Sequence, residues 1–216
     1  MFTLYEDLLM LSIHEDKGTI IGSTVDRMKP GVVGAILAEL ALMGKIKNSN
    51  NGRIQVMDDS PTDDAVLNQV LNALKESEKE RKFGYWIANL SQKPEKLRKQ
   101  ITENLVRKGV FTQEEDRLFW VIPSPLNSEV SASTKYWVNK RLRGMVLARE
   151  EMQPRDIALL SLVKACGLLD LVFLRDECKL AGRFINELVV NRAMKEPAIE
   201  TIQCIDSALA ALVEED

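Results

Sequence analysis

Residues 30–44, PGVVGAILAELALMG, carry one charge in fifteen positions, Glu39. A helix that is apolar around its whole circumference has no solvent face, so other elements must cover it on every side. Pro30 suits the first helical position, where a missing N–H is lost from a group that has no partner anyway. Gly44 suits the left-handed residue that closes a helix. The reading is a central core helix from Pro30 to Gly44, which commits the remaining elements to packing around it.

Those elements are mostly helical. Residues 2–13 place Leu4, Leu8 and Leu11 at helical spacing with Thr3 as N-cap. Lys17-Gly18 reads as a tight turn before a short strand, Thr19-Ile20-Ile21. Lys45-Ile46-Lys47 and Arg53-Ile54-Gln55-Val56 alternate around Asn50-Asn51-Gly52, a hairpin pattern. Ser60-Pro61-Thr62-Asp63 caps a predicted helix over 62–78 with a Val66, Val70, Leu71, Leu74 stripe. A shorter segment carries Phe83, Tyr85, Trp86, Ile87 and Leu90, and Pro94 stands near the start of a basic helix reaching Gly109. Val110 to Ile122 reads as a second hairpin stopped by Pro123-Ser124-Pro125. Helices follow to about Arg149, then over 156–174, 176–191 and 198–213. The expected fold is all-α: one domain over 1–216, an apolar helical core, amphipathic helices around it and short β-hairpins.

Charge is unevenly spread. Between Lys79 and Lys108 there are nine basic residues against three acidic ones; between Lys135 and Arg149 there are five and no acid. A net charge of -3 therefore hides a remainder at -14. If both stretches share a surface, the protein has one positive face. Arg27 and Lys29 flank the N-terminus expected at Pro30, where unpaired N–H groups favour phosphate. Gly31 and Gly34 there serve either ligand approach or close helix packing. The candidate phosphate or headgroup contacts are Arg27, Lys29, Arg98, Lys99, Arg141 and Arg143. The apolar run Phe119, Trp120, Val121, Ile122, with Leu126 beyond the prolines, is a candidate for membrane contact or self-association, or else completes the core.

Catalytic signatures are missing. There is no Walker loop, GxGxxG, GxSxG or HExxH. The one histidine, His14, falls at a helix-to-turn junction, and no metal or cofactor is expected. Cys166, Cys178 and Cys204 lie in apolar segments, as buried free thiols of a reducing compartment do. Glu6 and Asp7 interrupt the first apolar run, which argues against a signal peptide. No stretch reaches the roughly 18 apolar residues that cross a bilayer. The expected location is cytoplasmic, with any membrane contact peripheral.

Taken together, LYEDLLMLSIHEDKG, PGVVGAILAELALMGKI, ENLVRKGVFT, ALLSLVKACGLLDLVF and KLAGRFINELV resemble the Golgi phosphoprotein 3 family, in order and spacing, from residue 4 to about 190. The resemblance implies a compact helical fold with β-hairpins and no catalysis. It implies a basic surface for phosphatidylinositol 4-phosphate, a neighbouring hairpin used in membrane contact and self-association, and a role as peripheral adaptor for Golgi glycosyltransferases. On the family's pattern, its tryptophan before the central helix falls at Thr24 and its early arginine at Val33. Its two arginines on the basic helix fall at Glu95 and Arg98. These departures suit a prokaryotic member.

The functional expectation is a non-enzymatic peripheral module for anionic phospholipid headgroups or another phosphate ligand. The alternative is a protein–protein scaffold or homo-oligomer using the 118–126 hairpin. Overall acidity and the lack of a reading module speak against nucleic acid.

Overall fold

Glu39, the one charge in the apolar run, marks where the first two helices meet. In a computed structural model, which describes residues 2–13, 24–49, 51–92, 94–109 and 128–214, its Oε2 accepts from the Leu4 N–H at 2.6 Å. Leu4 opens α1 (Leu4–Ser12), and α2 (Val25–Leu42) is the apolar helix. The carboxylate thus satisfies a donor that has no partner within its own helix. At the same end Thr3 occupies the N-cap position, and its N–H donates to Glu6 Oε2 at 2.7 Å. Every residue of α1 is buried.

The start of α2 corrects the sequence expectation. The helix begins at Val25, so Pro30 sits inside it, in the second turn. There the ring removes only the bond to the Asp26 carbonyl, close enough to the helix end to be tolerated. Gly44 closes the helix with φ of 71°. The Lys45 N–H reaches the Leu40 carbonyl at 2.9 Å and the Gly44 N–H reaches Ala41 at 3.0 Å, a Schellman pair.

The predicted hairpin follows as β1 (Ile46–Asn48) and β2 (Ile54–Val56), antiparallel with Ile46 opposite Val56. Next comes α3 (Ala65–Lys75), later and shorter than expected. Its cap is Asp64, whose Oδ1 accepts from the N–H groups of Val66 and Leu67 at 2.8 and 3.1 Å. The stripe holds, with Leu67 added to it. Then run α4 (Phe83–Gln92), α5 (Pro94–Arg107) and α6 (Ser128–Leu147).

The helix expected over 156–174 is two helices. Here α7 (Pro154–Ala165) ends at a second Schellman pair, Leu168 to Val163 at 2.8 Å and Gly167 to Lys164 at 3.0 Å, with Gly167 at φ 70°. Beyond it lie α8 (Leu169–Val172), α9 (Cys178–Ala193) and α10 (Pro197–Glu214). The described residues are mainly α, with ten helices around one contiguous apolar core in which α2 touches α1, α3, α4, α7 and α10. Gly31 and Gly34 serve that packing. A Cβ at Gly31 would stand 2.2 Å from Cys166 Sγ, and one at Gly34 would stand 3.0 Å from Leu209.

The expected strand at Thr19–Ile21, His14 and the whole hairpin of Val110–Ile122, with Phe119, Trp120, Val121, Ile122 and Leu126, lie outside the described residues.

Candidate functional site: charged groups and the exposed face of α6

The acids of α1 and their partners form a connected polar network. Asp7 Oδ2 and Glu39 Oε2 accept from Arg155 Nη2 and Nη1 at 2.8 and 2.9 Å, and the same guanidinium donates to the Phe2 carbonyl at 2.6 Å. Burial raises the Asp7 carboxyl to about 6, against the lowering pull of Arg155 and Arg141. Glu6, fully buried, takes Lys108. On the other side of α1 the Tyr5 hydroxyl donates to Asp64 Oδ2 at 2.8 Å, and Asn104 Nδ2 donates to both, at 2.9 and 3.1 Å. Burial raises the Tyr5 phenol, so it stays a donor. This network ties α1, α2, α3, α5 and α7 together. Its groups are directed at one another inside the protein, an arrangement suited to holding a fold.

The six candidate contacts fare differently. Arg143 is taken by Glu177, with Nη1 and Nη2 donating to Oε2 and Oε1 at 2.7 and 2.9 Å and Nη1 also reaching the Val172 carbonyl at 3.1 Å. That pairing holds the Glu177 carboxyl below its ordinary range. Arg141 pairs with the buried Asp156. Arg27 is exposed on α2, its guanidinium over Gly167 at the end of α7. Lys29 is half-buried. Lys99 is exposed, 4.0 Å from Glu103 one turn along α5. Arg98 lies on α5, with its side chain outside what the structure describes.

The two basic stretches therefore do not translate into free cations one for one. In the second, Lys135 Nζ donates to the Ile13 carbonyl at 2.9 Å, and the Arg149 guanidinium stacks 3.9 Å from the Phe184 centroid. Within the described elements α5 rests on α3, and α6 rests on α1, α8 and α9.

Sequence reasoning missed the outer face of α6. Tyr136 and Trp137 are 59% and 61% exposed, with their rings in an edge-to-face contact at 5.5 Å. Lys140 Nζ sits 6.0 Å from the first ring centroid and 5.1 Å from the second. Helical phase carried the signal: Leu142 and Val146 point inward, and Tyr136, Trp137 and Lys140 fall opposite them. Also missed was a cleft of about 860 Å³ where residues 79–85 face α10.

Metal ligation and thiol chemistry find little support among the described residues. Among the described residues no cluster of three His, Cys, Asp or Glu side chains is placed to hold a metal. All three thiols are free; Cys166 is buried as expected, whereas Cys178 and Cys204 are only half-buried, and desolvation raises each one, Cys166 to about 12. They are therefore protonated near neutrality, which is the unreactive form. No described helix is long and apolar enough to cross a membrane.

Vacuolar protein sorting-associated protein 74 of Eremothecium gossypii is 24% identical over 176 residues, covering 72% of this chain. The match spans about half of that relative, 52% of its length. The family model described as Golgi phosphoprotein 3 (GPP34) matches residues 4–205. That range runs from the first residue of α1 well into α10, and the chain belongs to the Golgi phosphoprotein 3 family.

Proposed function

We propose that this protein is a non-catalytic module that attaches reversibly to anionic membrane surfaces and recognises phosphorylated headgroups there. The observation that carries the reading is the α6 face. Trp and Tyr rings with one apolar body and one polar edge favour the headgroup level of a bilayer, and a lysine above them reaches toward lipid phosphate. A surface Trp and Tyr that neither enter the core nor cover it have a use at such a boundary.

Headgroup contacts fall to Arg27, Lys29, Arg98 and Lys99, with Arg141 and Arg143 acting through the placement of α6. Each cation near an acidic bilayer contributes about 1 kcal/mol, so several together give reversible attachment that weakens with salt. The family resemblance points to phosphatidylinositol 4-phosphate as the headgroup to test first, and to attachment from the cytoplasmic side.

Vesicle flotation tests this reading. The protein is expected to float with phosphatidylcholine vesicles containing phosphatidylserine or phosphatidylinositol 4-phosphate, and not with phosphatidylcholine alone. Tyr136→Ala with Trp137→Ala is expected to weaken flotation at unchanged charge. Indifference to acidic lipid at low salt overturns the proposal.

A further inference from the structure

The cleft between residues 79–85 and α10 is lined by four cations, Arg53, Lys79, Arg81 and Lys82, against one carboxylate, Glu80. All four are exposed. Their positions are fixed by backbone pairing. Arg53 and Lys82 are opposite partners in an antiparallel bridge, and the Ile54 N–H donates to the Arg81 carbonyl at 2.9 Å. Directly opposite residues of such a pair project to the same side, where like charges repel. Among the described residues neither Arg53 nor Lys82 has an ion-pair partner. Two like charges are thus held side by side in the cleft lining, with no ion-pair partner among the described residues.

We infer that this cleft binds a small organic phosphate, its charge placed between Arg53 and Lys82 and its body against the floor. The volume, about 860 Å³, lies within the range of small-molecule sites, roughly 300–1,000 Å³, and far exceeds a bare phosphate ion. The floor is mixed in character: Phe83 and Ala208 give apolar contact, and Ser207 and Gln203 give polar groups. Tyr85, 47% exposed, stands at the wall with the Arg81 guanidinium 5.0 Å from its ring centroid. Arg81 is thereby oriented, while Lys79 and Lys82 carry mobile ammonium groups that adapt to a phosphate. The site is separate from the proposed membrane face, since none of Arg27, Lys29, Arg98, Lys99, Tyr136 or Trp137 lines it.

The ligand chemistry has two sources, a lipid headgroup or a soluble phosphate ester, and two arms distinguish them. Calorimetric titration of the full chain with glycerophosphoinositol 4-phosphate, a soluble headgroup, is expected to show saturable binding. Arg53→Gln with Lys82→Gln is expected to weaken it by roughly tenfold or more, the factor that losing a charge-assisted hydrogen bond brings. Lys179→Gln with Lys195→Gln, exposed cations outside both the cleft and the proposed membrane face, is expected to leave it unchanged. Without ligand, the Arg53/Lys82 variant is expected to melt no lower than the parent, because the substitution relieves repulsion. In the second arm the same variant is floated with vesicles containing phosphatidylinositol 4-phosphate. Loss of flotation assigns the cleft to lipid; retained flotation with lost soluble binding assigns it to a free phosphate ester. No saturable binding by the parent, or equal binding by the Arg53/Lys82 variant, overturns the inference, whatever the vesicles show.

Discussion

The Tyr5 hydroxyl donates to the Asp64 carboxylate at 2.8 Å, joining residues 59 positions apart. Asp64 also caps α3 through its other oxygen, so a single carboxylate anchors the start of one helix and the flank of another. Tyr5→Phe removes the donor while keeping the ring volume. It leaves Asp64 Oδ2 with only Asn104 at 3.1 Å. The expected loss is about 1–3 kcal/mol of unfolding free energy, because the group left short of a partner is buried and charged. Chemical denaturation followed by circular dichroism measures it, and an unchanged midpoint contradicts the assignment.

Asp7 gives a pH dependence of definite sign. Its folded carboxyl is raised by burial to about 6 from 3.8, so the native state holds the proton more tightly than the unfolded chain. The stabilisation from that proton is complete below about pH 4 and disappears as pH rises through 6. Asp7→Asn removes the effect. Relative to the parent, the variant is expected to gain about 3 kcal/mol at most between pH 4 and pH 7. Denaturation curves of both proteins at the two pH values read this directly, and parallel behaviour refutes it.

Gly31 is required by proximity. An added methyl group would stand 2.2 Å from Cys166 Sγ at the end of α7. Gly31→Ala is expected to cost about 1–3 kcal/mol through overpacking, and Cys166→Ala on top of it is expected to restore part of the loss. Melting temperatures of the two single variants and the double variant form the check: additive losses would show that the two positions do not meet.

Arg143 and Glu177 make a testable cycle. Arg143→Gln is expected to lower the melting temperature, since two charge-assisted bonds and the Val172 carbonyl lose their donor. Because the Glu177 carboxyl is held below its ordinary range, the contribution is present at neutral pH and fades as pH falls through that lowered value. Glu177→Gln with Arg143→Gln should cost less than the sum of the two single changes. A coupling energy of zero would place the pair among surface ion pairs without effect.

Much of the fold is legible in the chain, and the exceptions have physical reasons. Gly44 and Gly167 close their helices by the same hydrogen-bond pattern. The first is evident because polar residues follow it. The second is hidden because Leu168 and Leu169 continue the apolar run without a pause. The start of α2 is hidden because Pro30 advertises a beginning one turn too late. Counting charges finds the basic stretches around Lys82 and Arg141 but not their fates. Asp156, the partner of Arg141, stands at the head of an apolar segment, and the pairing of Arg53 with Lys82 is a tertiary fact. The outer face of α6 needed only its helical phase, which requires knowing that Leu142 and Val146 point inward.

The burial of α1 on every side has a consequence for biosynthesis. Two of the helices that cover it, α6 and α7, are encoded far downstream, so a growing chain cannot complete the burial of α1 until α7 has left the ribosome. During that interval part of its apolar surface faces water, as in the partly folded species that chaperones hold, and premature termination before α7 leaves that part without its cover.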